Sequence, residues 1–223
     1  MDEPRGLRLG SIAGTAIYID FSFFILVGIF ILISMERGEL LREALLWIPT
    51  ILVGVLFHEL GHAATIGALR FGPSVSILGG FGGVTVNVRR SRPWKEILIS
   101  AAGPIASIIL GVVLHVVYLA VPFFHTDPMF RNLLPLMRNV NFTWAVFNLF
   151  PIYPLDGGQI LNQIGRFFTT TARATRVSAI SSLILAGLIL AWSIFSRNFF
   201  MAMIIAMIAM QNFQRLQHGD RDI

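Results

Sequence analysis

The chain has 223 residues, of which 55% are hydrophobic and only 13% are charged. Soluble domains carry about 25% charged residues, so this composition excludes an ordinary soluble domain and indicates a membrane protein. Cysteine is absent, which excludes disulfides, thiol catalysis and thiolate metal ligands. The net charge of +5 comes from basic residues between apolar segments, a pattern typical of membrane topology that argues against nucleic-acid binding.

In chain order, a short N-terminal strand is predicted over residues 7–19 and a loop or surface turn over 132–141. Six apolar segments are predicted to span the membrane, at 21–35, 45–69, 97–121, 142–168, 177–195 and 199–210. The fourth is interrupted by Pro151, Pro154, Gly157 and Gly158. We therefore expect an all-α polytopic membrane protein of about six transmembrane helices. It should form a single domain over 1–223, with a short polar cytoplasmic tail at 211–223.

A glycine-rich segment over residues 75–88 separates the second and third apolar segments. Two runs of β-branched residues flank a turn that contains Gly79, Gly80, Gly82 and Gly83, which predicts a β-hairpin. The hairpin is too short to span a bilayer, and lipid does not tolerate exposed sheet edges. We expect it to be re-entrant, packed on protein or lining a wet cavity.

Basic residues between the segments predict the orientation of the chain. With six spans, 12 of the 17 lysines and arginines lie on the side of the two termini and five on the other side. Short cytoplasmic loops are enriched in these residues. The sequence therefore predicts a multi-pass protein of the cell membrane with both termini in the cytoplasm.

The second apolar segment contains His58-Glu59-Leu-Gly-His62. On a helix, His58 and His62 share one face and can bind one metal ion, and Glu59 lies beside them as a candidate general base. Ionisable side chains are costly inside a membrane, so their presence there indicates a function. Such a motif predicts peptide-bond hydrolysis within the bilayer.

Catalytic zinc usually has three protein ligands, so one more ligand is needed. Asp156 is the best candidate, because two prolines and two glycines around it allow the chain to open at membrane depth. The alternative is that Asp156 caps a helix, with Gln159 completing a capping box. Asp20 and Glu96 are more readily explained as a helix cap and an interfacial ion pair, and His115 as a structural hydrogen-bonding residue.

These residues resemble the site-two protease family of intramembrane zinc metalloproteases. The resemblance is carried by His58-Glu-Leu-Gly-His62 together with the Asn-x-x-Pro-x-x-x-Leu-Asp-Gly pattern that begins at Asn148. It implies that His58, His62 and Asp156 bind one zinc ion and that Glu59 acts as the base and then the acid. It also implies that Asn148 faces the site and that the substrate is a transmembrane segment of another protein.

Several questions remain open from the sequence. The hairpin, including Gly79, Gly80, Gly82 and Gly83, either pairs with an unwound substrate by strand addition or covers the site as a plug. A membrane zinc transporter could use the same three ligands, although it has no need of a base at Glu59. A metalloprotease of the prenyl-protein type would typically use a glutamate as its third ligand. The oligomeric state is not predicted.

Overall fold

The structure, a computed structural model, describes residues 6–12, 14–72, 74–79, 82–87 and 92–218. Its elements in chain order are β1 (Leu7–Ile12), β2 (Thr15–Ile19), α1 (Phe21–Glu36), α2 (Leu41–Ala44), α3 (Trp47–Ala68), β3 (Ser74–Gly79), β4 (Gly82–Asn87), α4 (Pro93–Ala120), α5 (Phe123–Thr126), α6 (Pro128–Asn148), α7 (Asp156–Phe168), α8 (Thr171–Phe195) and α9 (Phe199–His218). The chain is mostly helical with one small sheet, as predicted.

The described strands form one sheet in the order β1-β2-β3-β4. β1 pairs antiparallel with β2, β2 pairs parallel with β3, and β3 pairs antiparallel with β4. The predicted glycine-rich hairpin is confirmed as β3 and β4, and β4 lies at one edge. The single strand predicted over 7–19 is wrong: the chain turns back near Gly14, whose φ of 85° is a left-handed conformation that favours glycine.

In the two central strands, β2 and β3, buried side chains alternate with partly exposed ones, so one face of these strands is buried. In β2, Thr15, Ile17 and Ile19 are buried, and β3 follows the same pattern. Ile17, Ile19 and Leu78 pack in one apolar cluster with residues of α1 and α3. The sheet therefore packs beside α3, the helix that carries the histidine motif.

Asp20 is the N-cap residue of α1, as the sequence suggested. Its carboxylate accepts hydrogen bonds from the Ser22 hydroxyl and, at 2.9 Å, from the Ser22 backbone N–H. These bonds lower the pKa of Asp20, because both stabilise the ionised carboxylate. Asp20 is thus a helix cap and is not needed to explain the metal site.

Three helical segments among the described residues are long and apolar enough to cross a membrane. They are Leu41–Ala68, which comprises α2 and α3, Pro93–Ala120, which is α4, and Thr171–Phe195, which is α8. α1 is apolar but has only 16 residues, about 24 Å of helix against a hydrocarbon core of about 30 Å. These three helices agree with three of the six predicted spans.

The loop predicted over 132–141 is wrong, whereas the interruption expected within the fourth apolar segment, 142–168, is confirmed. α6 begins at Pro128 and runs to Asn148, and α7 begins only at Asp156. Asp127 starts α6 by accepting hydrogen bonds from the backbone N–H groups of Met129 and Phe130, at 2.9 and 3.1 Å. The segment whose polar residues suggested a loop is therefore part of α6, and this helix buries Leu133, Leu134 and Met137.

The chain divides into two compact units. The first comprises Met1–Arg90 and Ala102–Val146, and the second comprises Ser91–Ala101 and Phe147–Ile223. The second unit has its own apolar cluster around Ile152, Ala186, Ile205 and Ile208. α9 continues to His218, so much of the predicted tail at 211–223 is helical. The single domain over 1–223 stays a prediction.

Candidate metal centre

In the first unit, α3 buries the two histidines on one face. His58 is 3% exposed and His62 is 7% exposed. Their positions, four residues apart, place the rings one helical turn apart, with centroids separated by 4.9 Å and planes at 78°. The structure therefore confirms that the two imidazoles are neighbours, as a shared metal ion requires.

Helix α4 provides the space for these rings. A Cβ atom at Gly103 would lie 2.3 Å from His62 Nε2 and 2.7 Å from His58 Nε2, closer than a side chain can approach. At Gly61, a Cβ would lie 2.5 Å from the Ala102 carbonyl oxygen, so the backbones of α3 and α4 approach closely there. Small residues thus bring α4 against the histidine face of α3.

Ser107 fixes the orientation of His58. Its hydroxyl oxygen lies 3.0 Å from His58 Nδ1, and Ser107 is fully buried. A hydrogen bond at Nδ1 leaves Nε2 as the nitrogen that can bind a metal, which is how neighbouring groups orient histidine ligands. Ser107 is therefore not a metal ligand itself, but it orients the ring of a candidate ligand, His58.

Glu59 lies beside the histidines and against the hairpin. The carboxylate is only 2% exposed, and Thr85 of β4 donates a hydrogen bond to its Oε2 atom at 2.7 Å. A Cβ at Gly83 would lie 2.2 Å from Glu59 Cγ and 2.4 Å from Oε1. Among the four glycines predicted to bind substrate, Gly83 thus contacts the candidate base directly.

In the second unit, Asp156 is the first residue of α7 and is 6% exposed. The N-cap position belongs to Leu155, which has no side-chain cap, and the Gln159 side chain donates to the Pro154 carbonyl oxygen. The capping-box alternative is therefore wrong. Asp156 is thus a buried carboxylate at the start of a helix, and it could serve as a metal ligand.

Two glycines allow the preceding chain to fold over the start of α7. A Cβ at Gly157 would lie 2.1 Å from the Leu149 carbonyl oxygen, and one at Gly158 would lie 2.2 Å from the Tyr153 nitrogen. Any side chain at either position would collide with backbone, which cannot move aside easily. The glycines beside Asp156 are thus required by close packing of the segment before it.

The last two helices hold this segment in place. Ser182 of α8 accepts a hydrogen bond from the Tyr153 backbone N–H at 2.9 Å. Asn212 of α9 donates to the Tyr153 carbonyl oxygen at 2.5 Å, and the Arg215 guanidinium lies 3.8 Å from the centre of the Tyr153 ring. The segment before Asp156 is therefore fixed on both sides of Tyr153.

The other predicted site residues are less fully described. Asn148 is the last residue of α6 and is half-buried. Gly79 and Gly82 pair with each other at the end of the hairpin ladder, and Gly80 lies outside the described residues. The assignment of these four residues to catalysis or substrate binding remains a prediction.

Three supporting residues were not predicted as part of the site: Thr85, Gly103 and Ser107. Gly103, Ser107 and Gly111 recur every four residues along α4, the small-residue pattern by which membrane helices pack closely. That pattern could have identified the face of α4 that meets α3. Nothing in the hairpin sequence indicated that Thr85 contacts Glu59.

His58 and His62 of the first unit and Asp156 of the second are residues whose side chains could each bind a metal ion. They offer two imidazole nitrogens and a carboxylate oxygen, a donor set found in catalytic zinc sites. All three side chains are buried. The chemistry of these donor atoms therefore fits a zinc ion.

Comparisons with known families agree with this site. The model of peptidase family M50 matches residues 123–192, and the M50B-like peptidase model matches residues 21–122. Together they cover the chain from residue 21 to residue 192 without a gap. The chain belongs to this peptidase family, that of the site-two proteases, and is a membrane protein.

Individual relatives support the assignment. A zinc metalloprotease of Methanocaldococcus jannaschii is 28% identical over 200 residues, 89% of this chain and 57% of that protein. A protein of Synechocystis named as a zinc metalloprotease is 30% identical over 170 residues, 72% of this chain and 44% of that protein. The chain thus spans about half the length of these relatives.

The fold also matches a solved structure. A site-two protease from Methanocaldococcus jannaschii superposes with a TM-score of 0.68 and 27% sequence identity, covering 94% of this chain and 94% of that one. The match covers nearly the whole of both chains, so the two proteins share their fold.

Proposed function

We propose that the chain is an intramembrane zinc metalloprotease that hydrolyses peptide bonds within or near transmembrane segments of other membrane proteins. The observation that carries the proposal is the buried group on α3. His58 and His62 share one face, and Glu59 lies between them in sequence with a carboxylate held by Thr85. Membership of the M50 peptidase family supports this reading.

We propose zinc as the metal, held by His58, His62 and Asp156. The donor set supports zinc, and two relatives are named as zinc metalloproteases. When bound, zinc polarises a scissile carbonyl and acidifies the attacking water. Glu59 is the general base: its carboxylate takes the proton from the water and delivers it to the leaving amine, so it ends each cycle ionised.

Asn148 is proposed as the residue that stabilises the oxyanion. Its amide can donate a hydrogen bond to the negative oxygen that develops as the water attacks, and removal of such a donor typically costs about 10²–10³ in rate. Its half-buried position at the end of α6 supports this role, because the side chain is neither fully solvated nor sealed in the core.

The substrate is proposed to bind in an extended form. A helical transmembrane segment hides its amides in its own hydrogen bonds, so it must unwind before cleavage. β4 is an edge strand that lies against Glu59, which supports pairing of the unwound segment with β4. The glycine-rich turn at Gly79–Gly83 would then lie in a re-entrant hairpin.

We further propose a multi-pass arrangement of about six spans in the cell membrane, with both termini in the cytoplasm. The excess of lysine and arginine on the side of the termini supports the orientation. Three long apolar helices support the multi-pass arrangement.

Glu59→Gln tests the proposed function. The purified variant should retain zinc, because Glu59 is not a ligand, and should cleave a membrane-spanning peptide about 10²–10⁴-fold more slowly than wild type. Glu36→Gln is the matched control, because Glu36 lies exposed at the end of α1. Zinc flux into liposomes by both Glu59→Gln and wild type, with no peptide cleaved by wild type, would instead establish a transporter.

A further inference from the structure

Thr85 links the edge strand β4 to the candidate base. Its hydroxyl oxygen lies 2.7 Å from Glu59 Oε2 and 2.7 Å from the Ser76 hydroxyl oxygen of the neighbouring strand β3. Ser76 and Thr85 are directly opposed in the β3–β4 ladder, so the sheet itself sets their separation. Ser76 is fully buried, and Glu59 is 2% exposed.

The direction of these hydrogen bonds follows from the available protons. An ionised carboxylate can only accept, and a threonine hydroxyl has a single hydrogen to donate. Thr85 therefore donates to Glu59, and Ser76 donates to Thr85. The separation of 2.7 Å between Thr85 and Glu59 lies within the range of hydroxyl–carboxylate bonds, which are stronger than bonds between neutral groups.

The hydrogen bond from Thr85 acts on the angle of the Glu59 carboxylate. Glutamate has rotatable bonds whose freedom a site must remove for the base to act at a defined point. Gly83 lies against Cγ and Oε1, while Thr85 holds Oε2. Two residues of the same strand thus contact the side chain of the base.

We propose that Thr85 is a positioning residue for Glu59 and that Ser76 in turn orients the Thr85 hydroxyl. Thr85 acts through Glu59 and does not itself take part in proton transfer. The inference rests on the proposed protease activity and adds to it a residue on the hairpin whose hydroxyl the reaction requires.

Thr85→Val and Thr85→Ser form the matched test. Valine keeps the branched shape and the high strand propensity of threonine but has no hydroxyl, whereas serine keeps the hydroxyl. We expect kcat for a membrane-spanning peptide to fall about 10- to 100-fold in Thr85→Val, the range seen when groups that orient a site are lost. KM and zinc content should be unchanged, and Thr85→Ser should restore kcat to near the wild-type value.

Ser76→Ala gives an independent measurement with Thr85 intact. Its kcat should fall by a smaller factor than in Thr85→Val, and the double variant Ser76→Ala/Thr85→Val should be no slower than Thr85→Val alone, because Ser76 acts only through Thr85. This non-additivity distinguishes a positioning chain from two separate contributions to sheet stability, which would add.

The outcomes separate the two proposals. If wild-type protein with bound zinc cuts no membrane-spanning peptide, the proposed function fails. If wild type cuts and Thr85→Val keeps the wild-type kcat, the positioning role is overturned. It is also overturned if Thr85→Val loses zinc or changes only KM, if Thr85→Ser fails to restore kcat, or if the Ser76 and Thr85 effects simply add.

Discussion

At Gly103, the absence of a side chain determines whether the two histidine rings fit beside α4. A Cβ there would meet both Nε2 atoms at less than 3 Å. The histidines themselves are obvious in the sequence because their spacing matches one helical turn. The role of Gly103 is not visible in the sequence, because it depends on which face of α4 meets α3. Packing between segments that are distant in sequence decides which face that is.

Gly103→Ala should displace the histidine rings and weaken zinc binding by about 10- to 100-fold, as for other losses of ligand support. The control is Gly67→Ala on α3, where an added Cβ meets nothing within 4 Å. Competition with a zinc chelator measures both affinities. Equal zinc affinity in the two variants would contradict the proposed placement of the metal.

Ser107→Ala removes the hydrogen bond to His58 Nδ1. The ring then loses the partner that fixes its tautomer, and zinc affinity should fall about 10- to 100-fold while the fold is retained. Ser193→Ala is the matched control, since this buried hydroxyl donates to the Ile189 carbonyl of its own helix. A chelator titration in which both variants match wild type would exclude the supporting role of Ser107.

At the scale of elements, the sequence predicts helices and strands most accurately where the pattern of apolar residues is uniform along the segment. The hairpin and the three long apolar helices have a uniform pattern and were predicted with nearly correct boundaries. α6 was missed because its first half is polar on one side, so mean hydropathy fell although the helix buries Leu133, Leu134 and Met137. The N-terminal strand pair was missed because its turn depends on the left-handed Gly14.

Asp156 was recognised from its local context, but its orientation was not predictable. The segment before α7 depends on Ser182 and Asn212, which lie 29 and 59 residues from Tyr153 in the chain. Such long-range hydrogen bonds leave no local pattern. The sequence could indicate that the chain opens at the prolines and glycines, but not which helices would hold it.

Strand addition to β4 can be tested with the substrate. In a strand, alternate amides face the neighbouring strand, so N-methylation of single amides around the scissile bond should slow cleavage about 10-fold at every second position and little between them. The measurement is the cleavage rate of each methylated peptide. If the hairpin only covers the site, no alternation will appear.

At the scale of the whole molecule, composition indicates a membrane environment, and the distribution of lysine and arginine predicts the orientation. The absence of cysteine makes the orientation directly measurable, because a single introduced cysteine is the sole thiol. We expect Arg37→Cys to react from outside intact cells with a membrane-impermeant maleimide. Thr170→Cys should react only after permeabilisation, and the cysteine-free parent is the blank. The opposite labelling pattern would invert the proposed topology.

The central claim is that His58, His62, Asp156 and Glu59 make a zinc-dependent peptidase that acts on membrane-spanning substrates. The most direct measurement is cleavage of a membrane-spanning peptide by the purified zinc-loaded chain, compared with Glu59→Gln at equal zinc content. We predict cleavage by wild type, loss of cleavage on chelation with recovery on adding zinc, and a rate about 10²–10⁴-fold lower for Glu59→Gln. Equal cleavage by Glu59→Gln and wild type, or cleavage that survives removal of zinc, would contradict the account.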